Sequence, residues 1–151
     1  MKAAPLKEPP TPTTVLGDWY ANVTHDGLIL CVSEKTLLSM VLPREALSAI
    51  AIELPRALTK VLDKLGVDRA AIERERFAMA QSTVSTTASR RVVGFLNEFA
   101  FMIEAMREHH GPRSLLQTSL DLAHTPCNAG SALVTWPNEA TQAAFTQRSI
   151  A

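Results

Sequence analysis

The chain has 151 residues with 15 basic and 15 acidic side chains, so its formal net charge at pH 7 is zero. This length suits one domain with a single core, and the balanced charge excludes recruitment of nucleic acid or an anionic membrane by a strong overall field. The two cysteines, Cys31 and Cys127, form neither a Cys-x-x-Cys pair nor a disulfide framework, which indicates reduced thiols.

Residues 1–15 are rich in proline and threonine, a composition that predicts a disordered arm. The arm lacks the apolar stretch of a secretory signal, and no apolar run in the chain reaches the length of a membrane span. We therefore expect a cytoplasmic protein of bacterial type without membrane contact. Its globular domain is predicted over residues 16–128, followed by a loop or tail at 129–151 in which Trp136 packs back on the core.

Short apolar runs after the arm predict three strands at roughly 18–24, 28–33 and 37–42. Asp26-Gly27 lies between two of these runs and is a strong hairpin signal, because both residues accept positive φ. The run from Leu28 to Val32 is apolar at every position, so the middle strand should be covered on both faces.

Helices are predicted for most of the remaining chain. Pro55 is expected in the first turn of a helix that ends at Leu65 and is capped by Gly66. Asp68 is the predicted N-cap of a second helix that runs to about Gln81 and makes apolar contacts through Ala71, Ile72, Phe77 and Met79. Residues 82–87 are interpreted as a Ser/Thr linker, and a last helix is expected from Pro112 to Ala123. The fold class is therefore α+β, with an N-terminal three-stranded antiparallel meander packed on about four helices.

The third predicted helix, from about Ala88 to His109, is the central one. Helical spacing places its core residues on one side and a polar row on the other, which consists of Arg90, Gly94, Asn97, Phe101 and Glu104. Glycine inside a helix is tolerated where another backbone comes close, so Gly94 is the predicted crossing point. The helix should then be packed on more than one side, with Arg90 and Asn97 partly buried.

Sequence motifs for catalysis or metal binding are missing. The sequence holds no Gly-x-Gly-x-x-Gly, P-loop, Gly-x-Ser-x-Gly or His-Glu-x-x-His pattern. His109 and His110 are adjacent, so they project about 100° apart on a helix and do not chelate one metal from the same face. We expect no cofactor and no metal, and whether the chain is an enzyme stays open.

A candidate site follows if the meander packs on the row through Gly94. Five polar side chains would then meet, namely Asn22, Glu34, Lys35, Arg90 and Asn97. Two cations and two amides suit an anion such as a phosphate, whereas Glu34 and Arg90 equally suit a buried ion pair that only orients the hairpin. The structural alternative is favoured because no general base joins the group.

Two further features have alternative interpretations, namely the strand residues Trp19 and Tyr20 and the turn Glu34-Lys35-Thr36. One of the two aromatic side chains belongs to the core, and the other is available for stacking on a partner. For the turn, a solvated hairpin loop competes with a binding role.

Four ordered blocks between residues 16 and 128 resemble a bacterial domain family of unknown function. They are Leu16-Gly-Asp-Trp-Tyr-Ala-Asn22, Glu34-Lys-Thr-Leu-Leu38, Thr87-Ala-Ser-Arg90 with Val93-Gly94 and Asn97, and Leu122-Ala-His-Thr-Pro-Cys127. Family members have Trp-x-Ala-Asn, Asn-Glu/Asp-Lys-Thr, Lys-Thr-x-x-Arg-Ser-Val-Leu-Gly-Ser-Met-Asn and Thr-Pro. Thr86 and Arg91 depart from this pattern, where relatives have lysine and serine. The resemblance implies no activity and marks Trp19, Asn22, Lys35, Thr36, Thr87, Arg90, Gly94 and Asn97.

The function favoured by these patterns is an interaction module that recognises a protein or nucleic-acid partner. The hairpin and the Arg90-Gly94-Asn97 ridge would form the surface, with Trp19, Asn22, Glu34, Lys35, Arg90 and Asn97 in contact with the partner and with Gly94 and Thr87 as structural residues. An enzyme acting on a nucleotide or RNA is the alternative, with Lys35 and Arg90 stabilising charge. A toxin–antitoxin or mobile-element component is a third hypothesis. The oligomeric state is not determined by the sequence.

Overall fold

The computed structural model describes residues 14–24, 27–80, 84–85, 90–111, 114–127 and 134–150. Four strands are present in this part of the chain, namely β1 (Trp19–Val23), β2 (Leu28–Ser33), β3 (Ser39–Pro43) and β4 (Val84–Ser85). A 3₁₀ helix (Arg44–Ala49) leads into α1 (Ile50–Lys64), which is followed by α2 (Arg69–Met79), α3 (Arg90–His110), α4 (Leu115–Ala123) and α5 (Pro137–Ile150). The predicted α+β class is confirmed.

The predicted meander forms the main part of the sheet. β1, β2 and β3 are consecutive antiparallel neighbours, and the spatial order of the sheet is β3-β2-β1-β4. Gly27 has a φ of +85°, and its amide donates to the Thr24 carbonyl at 3.0 Å, which closes the predicted hairpin. β4 runs parallel to β1 through Trp19↔Val84 and Tyr20↔Ser85. The interpretation of residues 82–87 as only a linker is therefore wrong.

Both faces of the middle strand are covered, as expected from its continuous apolar sequence. Ile29 and Cys31 belong to a first core cluster, which they share with side chains of α1, α2 and α5. Leu30 and Val32 belong to a second core cluster, on the opposite face, which they share with α3. The sheet thus separates α3 from α1, α2 and α5, and this layering decides which surface of α3 meets the solvent.

Helix α4 closes the sheet along β3. It contributes Leu122 to the second cluster and Ala123 to the first, so it touches both cores. The Ser119 hydroxyl accepts a 2.9 Å hydrogen bond from the Val41 amide. Because β3 is an edge strand, this amide points away from β2 and would otherwise need another partner.

The boundaries of α1 and α2 differ in part from the prediction. α1 begins at Ile50, so Pro55 lies inside the helix rather than in its first turn. Leu54 and Pro55 are both buried, and their burial extends the apolar side of the helix toward its N-terminus. Asp68 is the N-cap of α2, as predicted, and accepts from the amides of Ala70 and Ala71. The expected core contact of Phe77 is wrong, because this side chain is 68% exposed.

The stretch predicted as a loop or tail contains α5. Pro137 begins the helix, where proline costs no hydrogen bond, and Thr141 and Phe145 are buried one turn apart. Trp136, expected to pack back on the core, is 43% exposed. Phe145 fills the first cluster instead.

Most of the predicted arm lies outside the described residues, which begin at Thr14. Its last two positions belong to the folded domain, since Thr14 is buried and the Val15 amide donates to the Glu75 carboxylate at 2.7 Å. The Leu16 amide donates to the other oxygen of the same carboxylate at 3.1 Å. Glu75 itself is only 3% exposed, so two backbone amides compensate part of the cost of burying its charge.

Candidate functional surface

The motif Glu34-Lys35-Thr36 forms the turn between β2 and β3, and its three residues differ in burial. Thr36 is buried, Glu34 is half-buried and Lys35 is exposed. Leu37 follows with a φ of +64°, a left-handed conformation that is costly for a leucine. Its side chain is buried in the second cluster, which holds the backbone in this conformation. The motif therefore combines one structural residue with two residues that reach the surface.

Thr36 belongs to a buried chain of hydroxyl groups. Thr141 Oγ1 of α5 donates to Thr36 Oγ1 at 3.0 Å, and Thr36 Oγ1 lies 3.3 Å from Ser33 Oγ. Ser33 Oγ donates to the Leu16 carbonyl at 2.7 Å, which leaves Thr36 as the donor to Ser33. Such chains polarise one another and are costly to interrupt inside a core. The resemblance marked Thr36, and the structure gives it a structural role.

The end of the sheet beside this turn is acidic. The Glu34 amide donates to the Asp18 carbonyl at 2.9 Å, which brings these two residues opposite each other. Partial burial raises the pKa of Tyr20, and the negative charges of Glu34 and Asp18 raise it further. Tyr20 packs against the second cluster, so its ring is part of the contact between the sheet and α3. An anion is disfavoured at this end because two carboxylates already act on the phenol.

The side chain of Lys35 extends from the β2–β3 turn over the loop that precedes β1. A Cβ atom added to Gly17 would lie 2.9 Å from Lys35 Cγ, and Gly17 has a φ of +75°. A glycine at position 17 thus provides both the backbone conformation and the space for the lysine stem. This contact orients Lys35 along the Gly17 loop.

Asn22 lies at the opposite end of the β1–β2 ladder from Glu34 and Lys35. It pairs with Leu30, whereas Trp19 pairs with Ser33, the residue before Glu34. Asn22 is four positions from Asp18 in an extended chain, which corresponds to about 13 Å along the strand. Asn22 therefore does not share one anion-sized volume with Glu34.

Trp19 is the core member of the aromatic pair. Its side chain is 2% exposed and belongs to the first cluster, so it offers no surface to a partner. Within the described residues its buried Nε1 atom has no hydrogen-bond partner. Neighbouring Tyr20 is the one that remains half-exposed, on the opposite face of the sheet.

Among the described residues, helix α3 packs on the sheet through one of its sides. Phe95, Leu96, Phe99 and Ile103 are buried in the second cluster, and the rings of Phe95 and Phe99 lie 6.0 Å apart. The opposite side is the predicted row, in which Gly94, Asn97, Phe101 and Glu104 are all exposed.

Gly94 is not a crossing point for any described part of the chain. In the described part of the chain, no atom outside the helix lies within 4 Å of a Cβ added to Gly94. The predictions of a helix packed on several sides and of a partly buried Asn97 are wrong for the same reason, since α3 turns its glycine side outward. Arg90 begins the helix, but its side chain and the whole of Thr87 lie outside the described residues.

The predicted convergence therefore has little support among its described members. The meander does pack on α3, but through apolar side chains opposite the Gly94 row. Cavities of about 200 Å³ beside α5 and about 190 Å³ between α1 and α4 are lined by none of the five polar residues. Across the described ranges, no group of three or more His, Cys, Asp or Glu residues is arranged to hold a metal ion. None of the described helices is long and apolar enough to cross a bilayer.

Two residues that have clear roles in the structure were given none by the sequence analysis. Asp18 lies inside the first resembling block, but its position opposite Glu34 follows only from the strand register. Glu75 lies among exposed charged residues of α2, and no local pattern signals its burial. Phe101 was predicted to lie on the row, and the structure adds that its ring is 72% exposed.

Taken together, the fold and the surface define a small α+β domain with an exposed helix row. The chain belongs to the family described as a domain of unknown function, DUF6933, whose model matches residues 1–140. No curated protein and no solved structure matches it.

Proposed function

We propose that this chain is an interaction module that binds a protein partner through the outward row of α3. Phe101 carries the proposal, because a phenylalanine that is 72% exposed on a 21-residue helix is the kind of side chain that anchors protein interfaces. Gly94 and Asn97 extend the row toward Arg90, so the ridge covers two further turns of the helix.

The hairpin supplies a second contact region. Asn22 is exposed, and Val23 is 39% exposed at the end of β1. Asn22 lies on the face of the sheet that packs against α3, since alternation places it with Tyr20 rather than with Trp19. A partner on the α3 side would meet an amide there rather than a hydrophobic surface.

A protein partner is favoured over a nucleic acid because the described exposed side chains of α3 form no basic patch. Glu98, Glu104 and Glu108 are exposed there beside one exposed arginine, Arg107, so these side chains offer a polyanion no cluster of cations. The same composition weighs against the alternative of an enzyme acting on a nucleotide. The toxin–antitoxin alternative gains no support from any contact.

Phe77 provides a matched control for the test. It is a second exposed phenylalanine, 68% exposed, and it lies on α2 beyond the opposite face of the sheet. Affinity capture from the native cells should be run with wild type, Phe101→Ala and Phe77→Ala as baits. Recovered proteins should then be purified and their binding measured directly by calorimetry.

We expect a partner that is retained by wild type and Phe77→Ala and lost by Phe101→Ala. Loss of at least tenfold in affinity corresponds to a contact worth about 1.4 kcal/mol or more. Equal binding by the two variants would remove the α3 row from the function. Unfolding midpoints of all three proteins must agree for the comparison to hold, which is expected because both side chains are exposed.

A further inference from the structure

A cavity of about 190 Å³ lies between α1, β3 and α4, at the edge of the sheet. The described residues that line it come from these elements and from the 3₁₀ helix, and none of them comes from α3. The cavity is therefore separate from the row that carries the proposed function. Its volume is below the roughly 300–1,000 Å³ of pockets for drug-sized ligands, so it suits a molecule with few heavy atoms.

The inner wall of this cavity is apolar. Aliphatic side chains form most of it, among them Met40, Leu42, Ala57 and Leu116. Ser119 is the one residue with a hydroxyl group among the described lining residues, and it is fully buried. Its Oγ already donates to the Leu115 carbonyl and accepts from the Val41 amide, each at 2.9 Å. The wall therefore favours an aliphatic chain over a polar group.

The charged lining residues all lie on one side of α1. Glu53, Arg56 and Lys60 follow helical spacing, and Arg56 Nη1 lies 3.7 Å from Glu53 Oε1, beyond hydrogen-bond length. Lys60 is exposed and has no ion pair with a described residue. Arg44 and Glu45 are close in sequence to the lining, but they have opposite charges and do not line the cavity. Two cations thus meet one anion at the solvent side, which favours a negatively charged ligand group.

We infer that this cavity binds a short aliphatic carboxylate. The alkyl chain lies on the apolar wall, and the carboxylate lies at the solvent side, where it accepts from the Lys60 ammonium and the Arg56 guanidinium. An alkyl ammonium ion of the same length fits the wall equally well but brings a third cation to the same place. The sign of the head group therefore decides the binding, and the chain supplies most of the buried surface.

The first experiment compares three probes in an NMR titration of the wild-type protein. Hexanoate should bind with a dissociation constant in the millimolar range or tighter and shift the amide signals of Ala57 and Leu116. Hexylammonium has the same chain with the opposite charge, and acetate has the same head group without the chain, so each should bind at least tenfold more weakly. Absence of hexanoate binding up to about 50 mM, or equal affinity for hexanoate and hexylammonium, would overturn the inference.

Charge variants of α1 test the head-group contacts. Lys60→Gln should weaken hexanoate binding at least fivefold, whereas Lys64→Gln, an exposed position one turn further on that does not line the cavity, should leave it unchanged. Glu53→Gln should act in the opposite direction and tighten binding, because it removes the one carboxylate at the cavity and releases Arg56. Equal affinities of Lys60→Gln and Lys64→Gln, or weaker binding by Glu53→Gln, would contradict the assigned contacts.

A filled cavity tests where the chain lies. Ala57→Leu adds apolar volume to the wall and should abolish hexanoate binding, while Phe101→Ala on α3 should bind hexanoate as wild type does. A folded Ala57→Leu protein that binds hexanoate with wild-type affinity would overturn the site. If Ala57→Leu lowers the unfolding midpoint too far for a titration, the comparison of Lys60→Gln with Lys64→Gln decides the question, since both side chains are exposed.

Discussion

Thr141 and Thr36 are joined by a 3.0 Å hydrogen bond between their hydroxyl groups, although 105 residues of chain separate them. This bond connects α5 to the turn between β2 and β3, and through Ser33 it continues to the carbonyl of Leu16. Three side chains of modest size thus connect the segment before β1, the turn between β2 and β3, and the last described helix.

Replacing Thr36 by valine should lower the free energy of unfolding by about 1–3 kcal/mol, because Thr141 and Ser33 each lose a buried partner while the side-chain volume is nearly conserved. Urea unfolding followed by circular dichroism measures the change. Thr146→Val, an exposed position on the same helix, is the control and should differ from wild type by less than about 0.5 kcal/mol. If both variants unfold at the same urea concentration, the hydroxyl chain contributes nothing to stability.

The Thr36→Val and Thr141→Val changes should also be less than additive. Each single variant strands the hydroxyl of the other residue, whereas the double variant removes both groups together. A double-mutant cycle should therefore give a coupling energy of about 0.5–3 kcal/mol between these positions. Strict additivity would mean that the two hydroxyls do not interact in solution.

Glu75→Gln should destabilise the domain by about 2 kcal/mol. The glutamine oxygen can accept from only one of the Val15 and Leu16 N–H groups, and the side-chain NH₂ would face the other N–H, which is also a donor. Thermal unfolding checks this, with Glu73→Gln on the exposed side of α2 as the matched control. Hydrogen exchange at the Leu16 amide should quicken in Glu75→Gln only. An unchanged exchange rate there would contradict the role given to the carboxylate.

Ser119→Ala should loosen the contact between α4 and the edge strand. The Val41 amide would lose its acceptor, at a cost of about 1–3 kcal/mol, so its hydrogen exchange should become faster. Amides of β1 that are paired with β2 should be affected only through the change in global stability. Protection of Val41 identical to that in wild type would show that another group accepts this bond.

Stability should fall as the pH rises above 9 because of Cys31. Burial raises the pKa of its thiol from 9.0 to about 12, so the unfolded chain releases this proton at a lower pH than the folded chain. Between these values each pH unit costs roughly 1.4 kcal/mol of stability. Urea titrations at pH 8 to 11 measure the slope, and Cys31→Ala should show a smaller one. Parallel slopes in the two proteins would exclude the thiol as the source.

The meander was predictable because its signals are local. The glycine with positive φ determines the hairpin in which it lies, and the continuous apolar run of β2 determines the burial of that same strand. α5 was missed because Thr141 and Phe145 bury only a narrow stripe, and the polar composition around them is typical of a tail. Its fold depends on contacts with residues about a hundred positions earlier, which no local pattern encodes.

Gly94 shows the other limit of the sequence prediction. A glycine within a helix does indicate a possible close approach, but the pattern does not say whether the approaching backbone belongs to the same chain. The described members of the row face outward, whereas the row was predicted to pack against other parts of the fold. The meander covers the apolar side of α3, and Asn22 and Glu34 of the candidate site lie at opposite ends of the β1–β2 ladder.

The family match ends at residue 140, one position before Thr141 and five before Phe145. Both side chains are inside the protein, with exposed fractions of 0% and 4%. A recombinant fragment cut at the family boundary would therefore lose a core phenylalanine and the starting point of the hydroxyl chain. The smallest fragment suited to expression has to continue at least through Phe145, even though the family pattern does not demand it.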